Sequence, residues 1–292
     1  MTETMPEQPP IPQTGSLPSQ FVRCIQVVIF VGIWMAIGWL FRLGGDSYLV
    51  VGVPLVVIFQ LLVRKKPLVT LWVRDAERFR LNPLGILLGL CLAILPTVRL
   101  VQTIRSADWS SQIPEILWYV CCIIGAFGAA FGFCRFVKQT WKELGFCLLT
   151  AGAFGSGTMV LVALARWAII HKPVILTGHT AAVGIGSFVL YVPVCFVLEE
   201  VVFRGALDSH VFRSGDKGQW WTAFFISALW GWWHLPIAGV TGRQHLVVLI
   251  FVLPCIHIAV GVFFSLSWRR SGNLAAPATV HAFIDAVRNM LM

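Results

Sequence analysis

The sequence predicts an all-α, polytopic transmembrane helix bundle with eight or nine spans. Of its 292 residues, 58% are hydrophobic and only 12% are charged, whereas soluble domains carry about 25% charged residues. The aromatic residues include 13 Trp and 21 Phe, which suit a lipid-facing surface with interfacial anchors. This composition excludes a soluble enzyme, a disordered chain and a nucleic-acid-binding protein, although the net charge is +9.

Long runs without Asp, Glu, Lys or Arg define the predicted helices. A helix needs about 20 mostly apolar residues to cross the hydrocarbon core. Backbone groups in lipid must be satisfied within their own segment, so helices are the expected spans. Eight runs approach or exceed this length, and a ninth, shorter run covers 271–284. The eight runs are 24–41, 47–63, 81–98, 116–134, 144–165, 173–198, 218–242 and 244–268.

The remaining segments predict the organisation and orientation of the chain. Residues 1–20 are polar and proline-rich, so we expect a disordered cytoplasmic tail rather than a signal peptide. Residues 21–172 are predicted to form N-terminal transmembrane helices, and 173–292 the C-terminal helices of a functional core. The charged and aromatic segment 71–83 is expected to lie along the cytoplasmic interface.

The basic residues indicate which side of the membrane each connection occupies. With nine alternating spans and a cytoplasmic N-terminus, 15 of the 22 basic residues lie inside and 7 outside. This bias agrees with the positive-inside rule. We therefore expect a multi-pass protein of a bacterial inner membrane with a cytoplasmic N-terminus.

Two adjacent carboxylates, Glu199 and Glu200, end the uncharged run 173–198. An ionisable residue at membrane depth indicates a functional site. Glu200 and Arg204 are four residues apart, so they share a helix face and can pair. Glu199 points about 100° away from Glu200, which leaves it free for chemistry. The alternative interpretation is a helix end with an interfacial ion pair.

Two later segments bring histidines toward these carboxylates. Glu200 lies 14 residues before the turn 214–218 and His234 lies 16 residues after it. In an antiparallel hairpin these distances correspond to about 21 and 24 Å, so both residues reach a similar depth. His281 and Asp285 are four apart and share one helix face. The alternatives are a core histidine at 234 and a frayed C-terminal helix at 281.

In this order the three segments resemble the motifs of the CPBP family of intramembrane proteases. That family includes the CAAX prenyl endopeptidases and bacterial abortive-infection and bacteriocin self-immunity proteins. Its EExxxR motif matches Glu199 to Arg204. Its FxxxH motif matches Trp230 to His234, with Trp in place of Phe, a change expected to affect packing alone. Its HxxxN or HxxxD motif matches His281 to Asp285, and the resemblance covers residues 178–292.

The resemblance implies an intramembrane endopeptidase whose substrate is a peptide or protein. In the favoured metal-free mechanism, Glu199 and His234 activate a water molecule. His281 with residue 285 stabilises the oxyanion, and Glu200 with Arg204 orients the first carboxylate. No cofactor is then required. An ionised Asp accepts hydrogen bonds but cannot donate them. The resemblance therefore leaves three roles open for Asp285: it is protonated, it orients His281, or it binds a metal.

Zinc is the alternative, with Glu199, His234 and His281 as the expected ligands and one position left for water. Specificity for a prenylated CAAX peptide is not carried over, and we expect the cavity to open toward the cytoplasm. Two rival functions remain. One is a catalytically inactive immunity or scaffold protein. The other is a proton- or metal-coupled transporter, which His257 would suit, although His257 is expected to be a packing residue.

Overall fold

A computed structural model describes residues 19–106, 109–171, 176–213, 216 and 218–291. Within these residues the chain forms helices, and its one β contact is an isolated bridge between Val73 and Asn273. The predicted all-α fold is confirmed, whereas the predicted tail 1–20 lies almost wholly outside the described residues. The α-helices are α1 Gln20–Leu40, α2 Gly45–Ile58, α3 Pro83–Ile104, α4 Ile113–Phe133, α5 Lys138–Cys147, α6 Ala153–Ile170, α7 Gly178–Val197, α8 Ser209–Val211, α9 Gln219–Trp233, α10 Arg243–Ser271 and α11 Ala275–Leu291.

Among the described residues, seven helical segments are long and apolar enough to cross a membrane. They are Gln20–Leu40, Gly45–Val63, Pro83–Ile104, Ile113–Phe133, Lys138–Ile169, Gly178–Val211 and Arg243–Ser271. Two of these segments join two α-helices through a π-helix, which is Leu148–Gly152 between α5 and α6 and Val201–Asp208 between α7 and α8. The two other predicted spans correspond to the shorter helices α9 and α11. The chain is therefore an integral, multi-pass membrane protein.

Helix α9 is shorter than the run 218–242 from which it was predicted. It ends at Trp233, and a 3₁₀ turn, Leu235–Ile237, follows it. Pro236 has no backbone N–H to continue the helix, and Gly239 adopts a left-handed φ of 65°, which favours glycine. His234 therefore occupies the C-terminal end of a helix rather than its middle.

The helix that carries the paired carboxylates changes its hydrogen bonding beside them. Helix α7 ends at Val197, and Leu198 leaves the helical region with φ −137° and ψ −82°. A π-helix, Val201–Asp208, follows the two glutamates, and all eight of its residues are buried. Such i→i+5 segments occur frequently at functional sites.

Helix α7 lies at the centre of the bundle, in contact with α4 on one side and α11 on another, while α9 packs along α10. Gly125 allows α4 to approach α7 closely, because a Cβ at this position would lie 2.3 Å from the Pro193 carbonyl oxygen. The large buried core cluster spans these helices and α1. This packing buries most of the motif residues, whereas His234 is half-buried.

Contacts between helix ends define the two ends of the bundle. At one end, called here the basic end, Arg64 Nη1 donates to the Gly205 carbonyl at 2.7 Å and the Arg74 amide donates to the Gly272 carbonyl at 2.8 Å. At the opposite end, Tyr48 Oη donates to the Trp233 carbonyl at 2.8 Å. The basic end therefore holds the ends of α2 and α10, and the opposite end holds the start of α2 and the end of α9.

The segment 71–83 lies at the basic end. It continues from a 3₁₀ turn, Leu68–Leu71, and forms no regular helix of its own up to α3. Leu71 and Ala76 are buried, whereas Arg74 and Asp75 are exposed. The segment thus places apolar side chains against the bundle and charges outside it. Asn82 ends the segment by accepting a hydrogen bond from the Gly85 amide, which caps α3.

Candidate active site

A cavity of about 570 Å³ lies among α2, α4, α6, α7, α9, α10 and α11. Most of its lining is apolar, with side chains such as Leu49, Trp118 and Met159. The ionisable motif residues gather at one part of its wall. These residues are Glu199, His234, His281 and Asp285, and His257 joins them. The three motif segments therefore meet at one cavity, as the helix spacing and resemblance suggested.

Glu199 lies at the centre of the polar group with 9% of its surface exposed. Its Oε2 accepts a hydrogen bond from Trp230 Nε1 at 3.2 Å. The same oxygen lies 3.7 Å from His281 Nε2 and 4.0 Å from His234 Nε2. One carboxylate oxygen thus faces both motif histidines without a hydrogen bond to either, which leaves space for a reacting molecule between them.

The indole hydrogen bond gives Trp230 a role that the sequence did not indicate. The Trp at the FxxxH position was expected to affect packing alone, and that expectation is too narrow. Its ring also contacts His281 edge-on, with 5.0 Å between centroids, and His257 with 4.5 Å. A phenylalanine could make such ring contacts, but it has no N–H to donate to Glu199.

Glu200 is fully buried and contacts an arginine and a histidine. Its Oε2 lies 3.4 Å from Arg204 Nε, the contact that their spacing predicted. Its Oε1 accepts from His281 Nδ1 at 2.9 Å, a contact that sequence reasoning missed. Glu200 therefore links the first motif directly to the third and fixes the orientation of the His281 ring.

Arg204 is fully buried among aromatic rings. Its guanidinium carbon lies 5.0 Å from the Trp230 ring centroid and 5.8 Å from that of Phe264. Its side-chain nitrogens form no hydrogen bond with the described residues. Gly261 provides the space, because a Cβ there would lie 2.8 Å from Arg204 Nη2. Cation–π attraction, which strengthens when the cation is desolvated, and the Glu200 charge hold this arginine in place.

Asp285 is paired with an arginine that lies outside the three motifs. Its Oδ1 accepts from Arg288 Nη1 at 2.9 Å, and its Oδ2 lies 3.7 Å from His281 Nε2. Arg288 Nη2 in turn donates to Tyr191 Oη at 3.3 Å. Sequence reasoning missed Arg288, although its spacing of three from Asp285 places both on one helix face.

His234 and His257 each form the same hydrogen bond to the backbone of their own helix. The Nδ1 of each donates to the carbonyl four residues earlier, Trp230 at 2.9 Å and Leu253 at 2.7 Å. In the neutral imidazole the Nε2 atoms then carry the lone pair. The two rings lie 4.4 Å apart. His257 was expected to be a packing residue, but the structure places it in the cavity wall beside a motif histidine.

The cluster also has the composition of a metal site. Glu199, His281 and Asp285 offer ligand atoms that all lie within 4.8 Å of one another. Both carboxylate oxygens lie 3.7 Å from His281 Nε2, and ligand atoms on tetrahedral zinc are about 3.3 Å apart. The Glu200 contact to the other nitrogen of His281 is typical of a zinc-ligating histidine. The residues present therefore fit zinc, with Asp285 in place of His234 in the predicted ligand set.

The direction in which the cavity extends bears on the expected cytoplasmic opening. Its lining includes Asp46 in the first turn of α2 and Arg288 in the last turn of α11, together with Ile237. These residues lie at the end of the bundle opposite the basic end. A cavity that opened at this end would open away from the basic end, so a cytoplasmic opening would then not occur together with a cytoplasmic basic end. The side on which the cavity opens and the orientation of the chain both stay predictions.

The helices and the site define a multi-pass membrane protein with an acid–imidazole cluster buried in its bundle. Residues 181–287 match the family model for Rce1-like proteins, described as type II CAAX prenyl endopeptidase Rce1-like. The matched segment contains all three motifs, and the match confirms the resemblance predicted from them. Searches of curated proteins and of solved structures found no match to the chain.

Proposed function

We propose that this protein is an intramembrane endopeptidase that hydrolyses peptide bonds with a water molecule activated by Glu199 and His234. One observation carries the proposal: Glu199, His234 and His281, from three separate helices, line one cavity inside the bundle. Electrostatic interactions are stronger in an environment of low dielectric constant, so a buried acid–base group polarises water and substrate strongly. The family match adds hydrolase chemistry of the same kind.

Glu199 and His234 have complementary roles in this reaction. Their facing atoms, Oε2 and Nε2, are 4.0 Å apart, and a water molecule beside them can form hydrogen bonds of ordinary length to both. Glu199 takes a proton from the water molecule while the water oxygen attacks the carbonyl carbon of the peptide. The C–N bond then breaks, and the proton passes from Glu199 to the departing amine. General-base catalysis of this kind contributes about 10²–10⁴-fold.

His281 stabilises the oxyanion that forms when water attacks the peptide carbonyl. A carboxylate oxygen of Glu200 accepts from its Nδ1, so the ring is oriented with Nε2 toward Glu199 and Asp285. When both nitrogens are protonated, Nε2–H can donate to the oxygen that becomes negative during attack. Asp285 accepts from Arg288, and this pairing favours the ionised form of the carboxyl group. Of the three roles left open for it, orienting His281 is the one that we assign.

The balance of charge supports the metal-free mechanism. The cluster contains three carboxylates, those of Glu199, Glu200 and Asp285, and two guanidinium groups, those of Arg204 and Arg288. A protonated His281 makes the group neutral. Buried charges are tolerated when they are paired, so these residues need no further cation to be accommodated.

Zinc remains a second mechanism for the same reaction, favoured by the spacing of Glu199, His281 and Asp285. These three residues would hold the ion, which would supply a Lewis acid and an acidified water. Glu200 would then orient His281 from behind, and Arg288 would orient Asp285. In this mechanism His234 acts as a base beside the site.

The orientation of the chain determines which substrates can enter. We infer from the positive-inside rule that the basic end faces the cytoplasm. The cavity then opens on the other side of the membrane, where a peptide segment of a membrane-associated protein would enter. The apolar lining near Leu49 and Met159 suits apolar side chains beside the scissile bond.

The proposal is tested by offering a peptide library to the purified protein in detergent and identifying products by mass spectrometry. We expect cleavage by the wild type and by Glu77→Ala, because Glu77 is exposed outside the cavity. We expect none from Glu199→Ala or His234→Ala, although both should unfold at the wild-type temperature. Persistent cleavage by Glu199→Ala would refute the proposal.

A chelator separates the two mechanisms in the same assay. Activity that survives chelation supports the metal-free mechanism, and activity that is lost and then restored by zinc supports the metal mechanism. The rival functions give different results. An inactive scaffold protein yields no product from any variant, and a transporter yields Glu199-dependent ion flux in liposomes without cleavage.

A further inference from the structure

A second cavity, of about 760 Å³, lies at the basic end of the bundle and is separate from the candidate active site. Ligand pockets in proteins commonly measure about 300–1,000 Å³. Two carboxylates, Asp75 and Asp208, and six cationic side chains line it. The cationic residues are Arg64, Lys66, Arg74, Arg213, Arg269 and Arg270.

Some of these cations are already neutralised by carboxylates. Arg269 forms two hydrogen bonds to Asp208, one from Nε at 2.9 Å and one from Nη2 at 2.5 Å. Arg270 likewise donates to both carboxylate oxygens of Glu143, at 2.9 and 2.8 Å. The pair between Arg74 and Asp75 is longer, at 3.6 Å, and largely exposed. These pairs account for both carboxylates of the lining.

Three cations remain without a carboxylate partner. In the part of the chain that the structure describes, Lys66 and Arg213 form no ion pair. Arg64 donates to two neutral acceptors, Gln60 Oε1 at 2.6 Å and the Gly205 carbonyl. Burial and the neighbouring Arg213 lower the pKa of Arg64 to about 10, although Asp208 acts in the opposite direction. Like charges at close range repel each other, and an anion in the cavity would relieve the repulsion between Arg64 and Arg213.

The position of the cavity indicates what kind of anion can reach it. Arg64 directly follows the membrane-spanning segment Gly45–Val63, and Arg269 lies in the last turn of the segment Arg243–Ser271. The cavity is therefore level with lipid headgroups. Phe212 and the indole of Trp268 contribute apolar walls beside the cations, which suits a ligand with a charged group and an apolar part.

From this arrangement we infer that the basic cavity binds a ligand bearing a phosphate group, held by Arg64, Lys66 and Arg213. Guanidinium groups match phosphate oxygens with paired hydrogen bonds, and lysine adds a compact charge. Basic pockets between transmembrane helices on the cytoplasmic side are suited to lipid headgroups. The phosphate can belong to an anionic lipid or to a small soluble phosphate compound. This site is independent of the proposed peptidase function.

Thermal unfolding of the full chain in a neutral detergent tests the site, because a ligand that binds the folded state raises the unfolding temperature. The probes are inorganic pyrophosphate, short-chain phosphatidylglycerol and, as a zwitterionic control, short-chain phosphatidylcholine. The variant is Lys66→Gln with Arg213→Gln. The matched control is Arg80→Gln with Lys138→Gln, which removes two exposed cations outside the lining. Lys66→Gln alone serves if the double variant does not fold.

We expect a saturable rise in unfolding temperature with at least one charged probe, and a Kd at least tenfold weaker in the variant but unchanged in the control. Stabilisation by phosphatidylglycerol alone identifies a lipid headgroup as the source, and stabilisation by pyrophosphate alone identifies a soluble phosphate. Stabilisation by both supports a phosphate site open to either. No stabilisation, equal stabilisation by phosphatidylcholine, or equal Kd values in variant and wild type would overturn the inference.

Discussion

The helical segment that follows Leu198 carries two buried carboxylates, each paired with an arginine, and the two pairs differ in their hydrogen bonding. Asp208 and Arg269 form two direct hydrogen bonds, and Arg269 Nη2 also donates to Thr222 Oγ1 at 3.0 Å. Glu200 and Arg204 approach only to 3.4 Å. The guanidinium group of Arg204 forms no hydrogen bond with the described residues.

This difference separates a structural pair from a pair within a reactive cluster. In the pair at the basic end both carboxylate oxygens accept hydrogen bonds from the arginine, so we call this pair saturated, and it fixes the ends of two helices. The pair beside the cavity keeps its carboxylate available to His281. A buried ion pair is not in itself evidence of function, but one that is shared with a cavity-lining histidine is suited to it.

Replacing His281 should have a large effect on cleavage, although a smaller one than replacing Glu199 or His234. His281→Gln removes the ring that contacts Glu200 and faces Glu199 and Asp285. We expect the cleavage rate of the purified protein to fall about 10²–10³-fold, the usual cost of losing one oxyanion donor. The control is His245→Gln, because His245 lies at the start of α10 and bonds to Thr241. His281→Gln that retained more than a tenth of the activity would remove His281 from the mechanism.

Breaking the saturated pair should affect stability instead. Arg269→Met leaves the buried carboxylate of Asp208 without its partner, which costs about 3–5 kcal/mol of unfolding free energy. Equilibrium unfolding in mixed micelles measures this loss, with the exposed Arg80→Met as control. Cleavage per folded molecule should stay at the wild-type level. A loss of activity without a loss of stability would show that the two pairs do not have separate roles.

Crowding Arg204 should have an intermediate effect. In Gly261→Ala the new Cβ would lie 2.8 Å from Arg204 Nη2 and 2.7 Å from Ser227 Oγ. We expect a loss of about 1–3 kcal/mol in unfolding free energy, typical of overpacking. We also expect slower cleavage, because a shift of Arg204 would displace Glu200, with which it is paired. Gly186→Ala is the matched control, since its Cβ would meet no atom within 4 Å. Equal behaviour of the two variants would contradict the tight packing around Arg204.

Removing the indole donor should have the smallest effect. Trp230→Phe keeps the ring and deletes the 3.2 Å hydrogen bond to Glu199. Because a hydrogen bond to a charged group contributes about 1.5–3 kcal/mol and this one is long, we expect cleavage to slow about tenfold. Trp232→Phe, which loses a bond to the Ile250 carbonyl outside the site, is the control. An unchanged rate would mean that Trp230 acts through packing alone.

The sequence predicted the features that depend on composition and helix spacing. Charge-free runs identified the membrane helices, and the spacing of Glu200 and Arg204 predicted their contact. The order of the three motifs predicted that Glu199, His234 and His281 would meet. The first two inferences use only the length of a run and local periodicity, whereas the third also rests on the family resemblance.

Features that depend on rotation and tertiary packing could not be predicted in this way. The π-helix at Val201–Asp208 leaves no signature in hydropathy. The position of His257 in the cavity wall depends on how α10 is rotated against α9. The bond from Trp230 to Glu199 requires side-chain positions from two helices. The side on which the cavity opens requires knowledge of which helix ends surround it.

The most direct test of the central claim is peptide cleavage by Glu199→Gln, measured beside its thermal unfolding in the same detergent. The amide has nearly the shape of the carboxylate but cannot take a proton from water. Product formation should fall at least about 10²-fold while the unfolding temperature stays at the wild-type value. Cleavage at the wild-type rate by a well-folded Glu199→Gln protein would contradict the account.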